Sequence, residues 1–167
     1  MKKKRVVVAL IVLAGLLIAF RLWRGAFARE AMVLLERADT VELISLDPLS
    51  LFNLDQPYAG EKLGEWRVLG KTQLNKADAR KALNAMTNSV VWNTRLGSSV
   101  CFNPRHALRS QVNGRTALLM ICFECGVAYG TVEENGMQIY REYFSPGRSA
   151  ESVFNEFLID GKIPIAK

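Results

Sequence analysis

The chain has 167 residues, half of them hydrophobic, and a formal net charge of +6; that length suits one domain able to build a core without disulfide staples. The charge is lopsided, because residues 1–29 hold seven Lys/Arg and no acid, leaving fifteen of the 22 basic residues against all 16 acids in the remainder. The pI near 9.4 therefore describes the N-terminal segment. With no basic face or interleaved aromatics after residue 30, nucleic acid is excluded as a partner.

Lys2–Arg5 precede an apolar or glycine run over residues 6–20, the pattern of an export signal. Read as a retained anchor, Val6 to Trp23 spans roughly 27 Å as a helix, with Val6, Leu10, Leu13, Leu17 and Phe20 in the apolar stretch and Trp23 at the interface. Read as a cleaved signal, Ala26-Phe27-Ala28 supplies a small-x-small site, with cleavage after Ala28, although Arg21 and Arg24 intervene. An amphipathic or buried helix is the third reading. The basic flank before the run favours a cytoplasmic N-terminus. The expectation is a segment 1–28 that anchors or exports the chain, a juxtamembrane helix or stalk over 29–40, and one domain over 41–167 outside the cytoplasm. The cytoplasmic membrane is then a partner.

In chain order, residues 25–40 read as a helix with Ala31, Leu34, Leu35 and Ala38 on one face. Residues 41–46 alternate as a strand ended by Asp47-Pro48, and 48–64 are rich in turn formers. Residues 65–74 form a second strand with a glycine bulge. Asn75 caps a helix whose stripe is Ala79, Ala82, Leu83 and Met86, ending at Asn88-Ser89; Val90–Trp92 start another strand. Asn113-Gly114 joins strands 108–112 and 115–123 by a type I′ turn. A second hairpin pairs 127–132 with 137–144 across Glu133–Gly136. A last helix turns Val153, Phe154, Phe157 and Leu158 inward and stops at Gly161. The expected fold class is α+β, a mostly antiparallel sheet with helices packed on one face, preceded by an N-terminal transmembrane or signal helix.

All three cysteines and the only histidine fall within residues 101–125. The first hairpin's register places His106 opposite Ile121 and Cys122 opposite Arg105, and a regular strand puts Cys122 and Cys125 on opposite faces. Pro104 and Gly126 are the residues able to break that ladder. Three readings follow. Cys101, His106, Cys122 and Cys125 match zinc's ligand preferences, so zinc is a possible cofactor. In an oxidising compartment two thiols join, Cys101 with Cys125 being the preferred pair. Alternatively the cysteines are small buried strand residues and His106 caps a turn. Thiol–disulfide catalysis fits poorly, because Cys-x-x-Cys here has strand-like flanks rather than a helix N-terminus. Trp66 and Trp92 read as core residues.

Cys-Phe-Asn-Pro-Arg-His-Ala-Leu-Arg at 101–109 and Ile-Cys-Phe-Glu-Cys at 121–125 resemble an uncharacterised family of small exported or membrane-anchored bacterial proteins. Leu46-Asp47-Pro48, Val68–Thr72, Phe154-Asn155-x-x-Leu158 and Gly161 with Ile163-Pro164 extend the resemblance over most of 40–166. It implies that Cys101, Pro104, Arg105, His106, Cys122 and Cys125 form one unit at a bacterial inner membrane, single-pass, or in a secreted or periplasmic form. It implies no activity; Ala107 stands where the family commonly has glycine. The functional expectation is a membrane-tethered extracytoplasmic module that binds an unknown protein or small molecule, its Cys/His cluster acting structurally. The alternative is a zinc hydrolase with Arg105 stabilising an anion and Glu124 as base.

Overall fold

The structure, a computed structural model, describes residues 30–48, 58–88 and 102–166. Its elements are helix α1 (Glu30–Arg37), strands β1 (Thr40–Asp47), β2 (Lys62–Leu63) and β3 (Trp66–Asn75), helix α2 (Lys76–Asn88), strands β4 (His106–Val112), β5 (Arg115–Cys122), β6 (Val127–Glu134) and β7 (Met137–Phe144), and helix α3 (Glu151–Asp160) after a 3₁₀ turn at Arg148–Ala150. The strands form one sheet in the order β2-β3-β1-β4-β5-β6-β7.

That sheet is a mostly antiparallel β half-barrel, which corrects the expected α+β fold class. Strand twist curls a wide sheet, and bulges sharpen the curl by adding one unpaired residue to one strand. Two are present: Leu69 is the extra residue of β3 opposite Ser45/Leu46, and Ile139 that of β7 opposite Val132/Glu133. Such curvature is invisible to a period-two pattern. The expected transmembrane helix and signal anchor are corrected too: no helix among the described residues is long and apolar enough to cross a membrane. Residues 1–28, with Val6 through Trp23, lie outside the described residues, as do Val90–Trp92.

Residues of all three helices share the main core with one face of the sheet. Ala31 and Leu35 of α1, Leu83 and Met86 of α2, and Phe154 and Leu158 of α3 bury against strand residues such as Leu43, Leu108, Leu119 and Ile121. The stretch read as a juxtamembrane helix or stalk forms helix α1, whose Ala31, Leu34 and Leu35 are buried in the core, and Glu30 pairs with Arg115 at its start. On the opposite face Ile44, Leu46, Val68, Ala107 and Met120 form a second cluster with Trp66, Phe102 and Tyr129.

Local signals placed the turns and caps. Asn75 Oδ1 accepts the backbone N–H of Ala77 and Asp78, and its amide donates back to Asp78, the reciprocal cap that starts α2. Asn113 and Gly114 both have positive φ, as a type I′ turn requires. Asn135 and Gly136 do likewise, so the second hairpin closes on two residues and not on the four of Glu133–Gly136, with β6 running to Glu134. At the end of α3 the left-handed residue is Lys162 (φ 57°), not Gly161. Lys162 N–H bonds Ile159 O and Ile163 N–H bonds Leu158 O, a Schellman stop. Gly161 is needed for another reason: a Cβ there would stand 2.8 Å from Thr72 Oγ1.

Candidate functional site

β5 leaves the sheet at Cys122, which pairs with Val127, and residues 123–126 make the return. Gly126, at φ 65°, turns the chain back, so the opposite-face rule for Cys122 and Cys125 lapses and the two thiols meet. They form a disulfide with Cα atoms 5.3 Å apart. This replaces the expected Cys101–Cys125 pair; Cys101 lies outside the described residues. The Cys125 N–H donates to Cys122 Sγ at 3.1 Å. Glu124, at the tip, pairs with Arg105 at 3.2 Å, and its carbonyl accepts from Arg148 at 2.9 Å. Arg105 extends the ladder past the end of β4, donating to Ile121 O and accepting from Leu46 N–H. Pro104, which cannot donate, is buried beside it.

His106 lies beneath this turn, 1% exposed. Its Nε2 is hydrogen-bonded to Asn155 Oδ1 of α3 at 2.8 Å, which places the ring proton on Nε2; Nδ1 has no hydrogen-bond partner among the described residues. Its ring packs edge-on against Phe123 and Phe154, which also pack on each other. Burial pushes the His106 pKa down to about 4, the Asn155 bond opposing and the Arg105 charge adding. The imidazole is therefore neutral at physiological pH.

The geometry brings Pro104, Arg105, His106, Cys122, Glu124 and Cys125 into one corner, but as a locked scaffold. Of the two readings for these residues, metal or disulfide, the corner has the disulfide at Cys122 and Cys125, and His106 Nε2 is bonded to Asn155. No cluster of three or more potential metal ligands occurs among the described residues. Glu124 is engaged with Arg105, so its expected role as a base loses its support as well. Asn155 is the member whose role sequence reasoning missed. It stands 49 residues from His106, and only the docking of α3 joins them.

The disulfide closes a loop of a few residues, so loop-closure entropy assigns it only about 2 kcal/mol. Reducing it should lower stability by about that amount in a urea titration with and without dithiothreitol. A loss above about 4 kcal/mol would show that the bridge carries the fold.

A second feature has no sequence signal. β1 pairs with β4 only from Glu42–Arg109 to Ser45–His106, whereas β1 continues against β3 to Thr40 and β4 continues against β5 to Val112. The end of the β1–β4 ladder lines a cleft of about 520 Å³ with Thr40, Ser110 and Gln111. At its edge Arg109 is held by Glu42 at 2.7 Å and by Glu61 at 3.1 Å. Lys71 and Arg109 together hold the Glu61 carboxyl below the usual range. Polar residues alternating on a strand read as an ordinary solvated face, so the sequence gives no hint of the cleft. No family model matches the chain, and no match is found among curated proteins or among solved structures.

Proposed function

We propose that this protein is a non-enzymatic binding module that works in an oxidising compartment outside the cytoplasm, its Cys/His corner acting as a structural clamp. The observation that carries this reading is the joint occupation of the corner. The Cys122–Cys125 disulfide leaves no free thiol at either position, and His106, bonded to Asn155 through Nε2 and 1% exposed, presents no ring nitrogen to solvent. Such a corner ties β4, the β5–β6 return and α3 together, which suits a rigid support for recognition. Disulfides persist where the medium is oxidising, which supports the compartment.

Intact mass of the exported chain, prepared without reductant, tests it. A mass lower by two hydrogens, identical under native and denaturing conditions, is expected. A native mass raised by one zinc ion and lost on denaturation would return the corner to metal chemistry and sink the reading.

A further inference from the structure

The Cys122–Cys125 bridge is not alone in holding its loop in shape. Gly126 N–H donates to Phe123 O at 3.2 Å. Phe123 is 2% exposed and its ring packs against His106 and Phe154. Glu124 is bound through its carboxylate by Arg105 and through its carbonyl by Arg148. A bridge across so short a loop adds little to these contacts. When it is reduced, the return should therefore stay folded, with both thiols held close together and ready to close again.

The two sulfurs are placed unequally. Cys125 is partly exposed, whereas Cys122 is 2% exposed, so an incoming thiolate reaches Cys125 first. Cys122 is the better leaving group. Its Sγ already accepts the Cys125 N–H at 3.1 Å, and such a donor stabilises the thiolate left when the bond breaks. The guanidinium groups of Arg105 and Arg148 are both bound to Glu124, the loop's tip. They outnumber its one carboxylate and favour an anion on the loop. One amide and two cations thus stand where the strand-like flanks supply no helix N-terminus. Access at one sulfur and anion stabilisation at the other are what exchange requires.

We infer that the Cys122–Cys125 bridge is a thiol-exchange site, where Cys125 Sγ takes the thiolate of a reducing dithiol and Cys122 leaves. The first thiolate of the dithiol attacks Cys125 Sγ, the Cys122–Cys125 bond breaks, and Cys122 departs as a thiolate that takes up a proton. The second thiolate then attacks the partner sulfur of the mixed disulfide and releases Cys125, which is protonated in turn. Two electrons pass to the bridge, and the dithiol becomes a disulfide. A monothiol stops at the mixed disulfide, which the neighbouring Cys122 reverses, so efficient opening needs the dithiol. The inference rests on the disulfide of the clamp reading and makes that clamp one that can be opened.

The oxidised full chain, held in detergent because residues 6–20 are apolar, is tested with Cys101→Ser, so that all reacting sulfur belongs to the bridge. Dithiothreitol should open it at a rate proportional to the dithiol concentration, with no acceleration by urea below the unfolding transition. 2-Mercaptoethanol, quenched early with acid and followed by maleimide labelling, should leave its adduct on Cys125 and the label on Cys122. One charge near the leaving thiol is worth about threefold in rate. Arg105→Gln and Arg148→Gln should each slow opening by about that factor, and Glu124→Gln should speed it by about as much. A loop that must first come loose would instead open faster in all three variants. That result, a rate that saturates with dithiothreitol, or an adduct confined to Cys122 overturns the inference and leaves the structural clamp standing. A starting chain without the bridge, seen by intact mass before any thiol is added, removes the clamp reading and the inference together.

Discussion

Between about pH 7.5 and about pH 4.5 the protein should lose roughly 2–3 kcal/mol more stability than its His106→Gln variant. The sign follows from the ring's burial. The folded pKa, about 4, lies below the ordinary value of 6.5, so the unfolded chain takes up a proton that the native corner refuses. Stability from this group is whole above about pH 6.5 and falls as the pH drops toward about 4. Carboxylates titrate in both proteins and cancel in the comparison. Urea titrations of the two proteins across this range give the difference. Parallel slopes would mean that the native ring accepts a proton in place, which the Phe123 and Phe154 rings around it and the nearby Arg105 charge oppose. Asn155 alone does not oppose it, because its Oδ1 serves the protonated ring equally well.

Phe154→Ala should cost about 3–5 kcal/mol, the range for emptying a fully buried aromatic site. Phe154 is 0% exposed, with ring centroids 5.7 Å from His106 and 5.2 Å from Phe123, so its loss opens a cavity at the joint of α3, β4 and the β5–β6 return. Two accompanying results separate this packing role from a general weakness of α3. Ile159→Ala, at a position 62% exposed on the same helix, should change stability by no more than about 0.5 kcal/mol. The extra acid sensitivity due to His106 should shrink in Phe154→Ala, because a cavity beside the ring admits water and relieves its desolvation. Equal losses for the two α3 variants would place the stabilising contribution in the helix itself and not in the aromatic cluster.

Reading the chain locally succeeded where the cause is local. Asn113-Gly114 makes its turn because both positions need positive φ, and Asn75 caps α2 because its side chain reaches two backbone N–H groups. Ala79, Ala82, Leu83 and Met86 are buried because their spacing puts them on one helical face. The same reasoning failed where one residue alters a register. Extending β5 as a regular strand separated Cys122 from Cys125, but the ladder ends at Cys122–Val127 and the return brings the thiols together. Gly161 was the natural helix stop, yet Lys162 takes the left-handed conformation and Gly161 makes room for Thr72.

By itself, then, the sequence determined the strand and helix periods, the Asn113-Gly114 turn, the cap of α2 and the gathering of histidine and cysteines into one stretch. These depend on φ/ψ preferences and side-chain direction within a few residues. Only the tertiary structure decided that the sheet curls into a half-barrel, that α1 packs inside the domain, that Asn155 occupies His106, and that β1 and β4 part to leave a polar cleft. Each of these is a contact or a divergence between segments tens of residues apart, set by two bulges, by the twist accumulated across seven strands and by how the helices fill the space beneath them.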